Sequence, residues 1–167
     1  MEEAKVMVAL RDAETAGSLT KLGCQMASLM GTNLTALHVV EVAAGLPLDA
    51  NEDVLDHPGK EVLSIARQIA SNNFSMRICT KMLRARHPGE AIVAEAAGKG
   101  IELLIVGYHH NHRLAETLLG STVQYVSHHA PCKVLVQIPP PKEHAKTVPL
   151  STTAGETAET KIESDAA

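Results

Sequence analysis

Apolar and polar positions switch between two periods along this chain. Val6 to Leu10 is an unbroken apolar run, as in a strand covered on both faces. Leu19, Leu22, Met26 and Met30 then recur at helical spacing, with Asp12 placed to cap the helix start and Gly31 to close its end. Leu34 to Val42 returns to strand-favouring residues. A polar connection from Glu41 to Asp56 leads to a second helix, read from Pro58 to Ser71, with Val62, Ile65 and Ile69 inward. Phe74 to Leu83 alternates Phe74, Met76 and Ile78 with Ser75, Arg77 and Cys79, which predicts a third strand near a sheet edge.

Pro88 opens a third helix through Ala97, stopped by Gly98 and Gly100. Leu103 to Val106 follows as a buried strand that Gly107 ends. Gly120-Ser121-Thr122 then precedes Val123, Val126 and Ala130, again at helical spacing, and Pro131 breaks this helix before a fifth strand, Cys132 to Ile138. From Pro139 almost nothing remains to bury, so residues 139–167 are expected to be a disordered tail beyond a folded domain of residues 1–138. Five strands joined through four helical segments predict an α/β fold, a doubly wound parallel sheet with helices on both faces. Ligands of such sheets sit beyond the carboxyl ends of strands where the order reverses, so the loops after Leu10 and Val106 are the expected walls of a site.

Composition narrows the function classes. The 167 residues, 45% hydrophobic and 20% charged, suffice for one full core. Aromatics are 2%, namely Phe74, Tyr108 and Tyr125, which leaves no stacking platform for single-stranded nucleic acid. A net charge of −4 without a basic run speaks against nucleic acid and anionic membrane surfaces as partners. No stretch approaches the roughly twenty apolar residues of a membrane span. Met1-Glu2-Glu3-Ala4-Lys5 lacks the pattern of a secretory signal, and the chain reads as cytoplasmic. Cys24, Cys79 and Cys132 are widely separated and are read as small core residues.

Gly120-Ser121-Thr122 is the candidate anion site. A helix start offers free amides and partial positive charge, glycine lets a ligand approach the backbone, and Ser121 adds a hydroxyl. The loop before it, Tyr108-His109-His110-Asn111-His112-Arg113, is bulky and basic. Its histidines have three readings: solvated side chains, donors to an anion, or metal ligands. The last lacks carboxylate or thiolate company, and no metal is expected. His128 and His129 fall at a helix carboxyl end, which favours imidazolium, and His38 reads as a satisfied core or pocket-edge residue. Ser121 has no base fixed by sequence and no nucleophile elbow, so it reads as a cap or phosphate contact. Glu90 and Glu95 do not share a helix face and are expected in solvent. Gly98-Lys99-Gly100 lacks the spacing of a phosphate loop. No catalytic residue emerges.

Val6 to Leu10, Leu34 to Glu41, Glu102 to Gly107, Leu118 to Thr122 and His129 to Val136 together resemble the universal stress protein family, over about residues 4–138. The resemblance implies the strand order 3-2-1-4-5 and a homodimer joined along the fifth strand through Val134, Leu135 and Val136. In one branch it also implies an adenine nucleotide such as ATP or AMP, held by the pattern glycine, two residues, glycine, nine residues, glycine and a hydroxyl residue. That pattern falls on Gly107, His110, Gly120 and Ser121, so its second glycine is a histidine here. The branch carries an Asp after its first strand; this chain has Arg11 there, with Asp12 one position later. Ala9, Leu10, Val39 and Val106 match positions that line the adenosine pocket. Val8 to Ala16 and His38 to Val42 are also similar to the stress-protein-like regulatory domains of amino-acid and cation transporters.

Two function classes follow. One is a sensor of an adenine nucleotide or another anion, the other an interaction module with a protein partner; a slow nucleotide hydrolase is an outside alternative. The reading carried forward is a non-enzymatic regulatory protein with a degenerate nucleotide or anion pocket at Ala9, Leu10, Arg11, Val39, Val106, Gly107, His110, Gly120, Ser121 and Thr122.

Overall fold

The computed structural model describes residues 4–48, 52–108 and 120–139. His109, His110, His112 and the chain beyond 139 lie outside these residues. The elements are β1 (Val6–Leu10), α1 (Ala13–Leu29), β2 (Leu34–Glu41), α2 (Glu52–Phe74), β3 (Cys79–Ala85), α3 (Pro88–Gly98), β4 (Leu103–Gly107), α4 (Ser121–His129) and β5 (Lys133–Gln137). The five strands form one parallel sheet in the order β3-β2-β1-β4-β5, with Leu10 beside His38 and Val106 beside both Ala9 and Val136.

The unbroken apolar runs are explained by the two layers. Val6, Val8 and Leu10 of β1, with Leu103 and Ile105 of β4, face a cluster completed by Leu19 and Cys24 of α1 and Val62, Leu63 and Ala66 of α2. Met7, Leu104 and Val106 face the other way, against Ile92 and Ala96 of α3 and Val123 and Val126 of α4. Successive residues of a strand point to opposite faces, so covering both faces makes every position apolar. Among the described residues no helix is long and apolar enough to cross a membrane.

The caps lie where the sequence puts them. The Asp12 carboxylate accepts from the Thr15 N–H and hydroxyl, each at 3.0 Å, at the start of α1. Gly31 (φ +62°) and Gly100 (φ +59°) close α1 and α3 in the left-handed region that glycine enters without steric cost. Thr32 N–H to Ala27 O and Ile101 N–H to Ala96 O, both 3.0 Å, complete these ends.

Four expectations are corrected. The second helix starts at Glu52, so Pro58 lies inside it rather than opening it. Residues 52–57 offer only the adjacent pair Val54 and Leu55, which is no helical stripe, and a proline reads from sequence as a first-turn residue. The third strand starts at Cys79 instead of Phe74, because Phe74 ends α2 and Ser75 turns the chain at φ +50°. Phe74, Met76 and Ile78 pack on the first cluster from this turn, which produced a strand-like alternation without a strand. Glu95 is not solvated: its carboxylate meets Lys81 Nζ at 2.7 Å with the side chain only 10% exposed. Cys24 is in the core, where burial pushes its thiol up to about 11, whereas Cys79 is exposed at the start of the edge strand and Cys132 is half-buried.

Candidate functional site

Strand order reverses between β1 and β4, so the crossovers leaving these two strands depart to opposite faces and open a crevice at their carboxyl ends. A cleft of about 920 Å³ occupies that place. Nine of the ten residues singled out from the sequence line it: Ala9, Leu10, Arg11, Val39, Val106, Gly107, Gly120, Ser121 and Thr122. His110, the tenth, lies outside the described residues.

At one end the cleft is bounded by the start of α4. Gly120 is its N-cap, at φ −54° and ψ 153°, and among the described residues no side chain caps the helix. The first turn of a helix has amides without intrahelical partners, so this start presents donors and the positive end of the helix dipole to the cleft. A Cβ placed on Gly120 would meet nothing within 4 Å among the described residues, which leaves the approach from their side open. Gly107 is different. A Cβ there would lie 2.8 Å from Leu19 Cδ1, so this glycine is required by the packing of α1 on β4 before any ligand is considered.

The floor is made by strand ends. Ala9 and Val39 are half-buried, Leu10 and Val106 almost fully buried. His38 is 7% exposed, and its Nδ1 lies 2.9 Å from Leu10 O, which requires that Nδ1 carries the proton and donates. The pocket-edge reading of His38 therefore holds, with the ring fixed across the β1–β2 boundary. Arg11 stands exposed at the mouth. Asp12 also lines the cleft, but its Oδ1 is engaged by Thr15 in the α1 cap. A one-residue shift from Arg11 to Asp12 thus turns a cleft carboxylate into a helix cap.

The cleft is also lined by residues that sequence reasoning missed: Glu14 in the first turn of α1, Glu41 at the end of β2 and Pro58 early in α2, and, beside α4, Pro88 and Ile92 on α3. Glu41 was legible in principle as the last residue of a strand leading into the crevice. Pro58, Pro88 and Ile92 reach it only because their helices pack where they do. His128 and His129 lie in the last turn of α4, as expected, with His129 stacked on Tyr125 at 4.1 Å. Among the described residues no group of three His, Cys, Asp or Glu side chains is arranged to hold a metal ion. The cleft offers the first-turn amides of α4 and the Ser121 hydroxyl at one end, and the carboxylates of Glu14 and Glu41 among its other lining residues.

A family model described as the universal stress protein family matches residues 4–137. A universal stress protein of Methanocaldococcus jannaschii is 28% identical over 145 residues, spanning 83% of this chain and 84% of its own length. The structure of the universal stress protein from Archaeoglobus fulgidus in complex with dAMP is similar with a TM-score of 0.63 at 20% identity, covering 81% of this chain and 98% of that one. A universal stress protein in complex with cAMP is similar with a TM-score of 0.64 at 19% identity, covering 82% and 98%. At these identities the two structures speak to the fold.

Proposed function

This chain belongs to the universal stress protein family, and we propose that it acts there as a non-catalytic cytoplasmic regulator whose cleft holds the phosphate of an adenine nucleotide, with low affinity, on the start of α4. The carrying observation is that start itself, uncapped and open at Gly120 among the described residues and lining the same cleft as Gly107 and Val106. The relatives solved with dAMP and cAMP support the ligand class. Low affinity follows from three residues: Arg11 where the nucleotide-binding branch carries a carboxylate, Asp12 committed to the α1 cap, and His110 at a position that branch gives to glycine. Regulation rather than turnover is the reading because Ser121 is a helix-start hydroxyl for which the sequence fixes no general base.

Phosphate should raise the melting temperature more than chloride at matched ionic strength. At ten times its Kd the linkage is about 1.4 kcal/mol, or roughly 3–5 °C for a domain of this size. Gly120→Val should abolish the difference. Its side chain blocks the approach, while the absence of described neighbours within 4 Å leaves the core unstrained. Equal stabilisation of both proteins would move the anion elsewhere and refute the reading.

The regulator is a homodimer in this proposal. Val134, Leu135 and Val136 lie half-buried on β5, an open sheet edge, and Ile138 beyond it is 59% exposed. The opposite edge, β3, carries Lys81 and Arg84, charges that discourage strand addition. Twofold pairing along β5 removes the exposed apolar edge. Sedimentation at micromolar concentration should give a dimer; a monomer that persists after deletion of the chain beyond Pro139 would exclude it. A second reading, an interaction module for a protein partner, draws on Leu46 and Leu48, which are 45% and 47% exposed.

A further inference from the structure

The cleft wall opposite α4 is built from the two flanks of one connection. Glu41, at the end of β2, and Pro58, early in α2, both line the cleft. Between them Val42 is buried at the start of the connection, but Leu46 and Leu48 stand out in solvent, so apolar burial does not hold that stretch. Two arginines do. Arg86 donates from Nη1 to Ala43 O at 2.7 Å and from Nη2 to Leu46 O at 3.0 Å. Arg84 donates from Nη1 to Leu48 O at 3.1 Å, and from Nε and Nη2 to Asp56 Oδ1 at 3.1 and 2.8 Å. Ala43 O also accepts the Leu46 N–H at 3.0 Å, and the Val42 N–H reaches Ala85 O at 2.9 Å, which carries the β2–β3 ladder into the loop.

This is a use of arginine that lysine cannot copy. The guanidinium fork spans two acceptors in fixed geometry, and its bonds are charge-assisted. One fork gathers two carbonyls of the loop; the other ties the loop's far part to the first turns of α2, two residues from Pro58. Both flanks of the cleft wall are thereby fastened to the end of β3 and the residue that follows it, none of which lines the cleft.

We infer that Arg84 and Arg86 are positioning residues that set the cleft wall at Glu41 and Pro58, and so govern how well the nucleoside part of an adenine nucleotide is held while its phosphate rests on α4. This rests on the reading of the cleft proposed above. The sheet separates the two ends: β2 and β4 lie on either side of β1, roughly 10 Å apart. Inorganic phosphate needs only the α4 end and is indifferent to the latch. AMP touches both ends and senses it.

The test uses the full-length protein, isotopically labelled, with amide exchange at Leu46 and shift titrations with AMP and with inorganic phosphate. Arg86→Ala should speed exchange at Leu46 about tenfold, because the Ala43–Leu46 turn loses its clamp. The same change should weaken AMP about fivefold and leave phosphate within about twofold. Arg86→Lys, which supplies one bond where two were made, should fall between, and Arg84→Lys should act in the same direction. Unchanged AMP affinity in Arg86→Ala overturns the inference. So does an equal loss for AMP and phosphate, which would mark the arginine as a general support of the fold. If the unaltered protein binds neither ligand, the proposed function fails; the latch then stands on exchange at Leu46, and unchanged exchange there overturns it as well.

Discussion

Gly59→Ala is expected to destabilise the protein by about 1–3 kcal/mol, although alanine is favoured over glycine by up to about 1 kcal/mol at an open helix position. Gly59 is buried early in α2, and a Cβ there would lie 2.5 Å from His38 Cδ2 and 2.7 Å from Met82 Sδ. The Met82 side chain is flexible and gives way. The His38 ring is held at 2.9 Å from Leu10 O, so it moves only by giving up a buried hydrogen bond. Chemical denaturation measures the loss. His38→Ala in the Gly59→Ala background should recover a good part of it, since the smaller side chain vacates the contested space. A Gly59→Ala protein as stable as the original would show that α2 does not press on His38.

Arg11→Asp together with His110→Gly is expected to raise ATP affinity about tenfold or more, equivalent to at least about 1.4 kcal/mol. Arg11 is exposed on the cleft, so an aspartate there would be free to meet the nucleoside, unlike Asp12, which caps α1. Glycine at 110 removes an imidazole from the position where the family's nucleotide-binding branch lets the backbone approach phosphate. Each change alone should give less, because the nucleotide needs both ends of its site. Titration calorimetry reads the outcome. Tight ATP binding by the unaltered protein would contradict the low affinity attributed to Arg11 and His110.

The parts of the fold that the sequence made legible are those in which one pattern has one cause. Val6–Leu10 and Leu103–Gly107 are apolar at nearly every position because both faces are covered, and Asp12, Gly31 and Gly100 sit where helix ends require their chemistry. Errors arose where a pattern had a second cause. Phe74, Met76 and Ile78 alternate because a turn directs three side chains onto one cluster, and Pro58 is a helix-interior proline that imitates a helix start. Glu95 was misread because its partner, Lys81, comes from an edge strand and not from its own helix. The two ends of β1 and β4 named the cleft in advance, since topology alone puts it there. Part of its far wall was hidden, because Pro58 reaches it across a connection whose composition says only that it is a loop, and the arginines that fasten that connection, Arg84 and Arg86, come from the far edge of the sheet.

The central claim is that an adenine nucleotide rests its phosphate on the start of α4. A shift map of the labelled full-length protein titrated with AMP tests it most directly. The account predicts saturable changes at the amides of Gly107, Ser121, Thr122 and Val123, smaller ones at Val39 and Val40, and the loss of the first group in Gly120→Val. A spectrum that does not move at millimolar AMP, or one that moves only outside these residues, would contradict it.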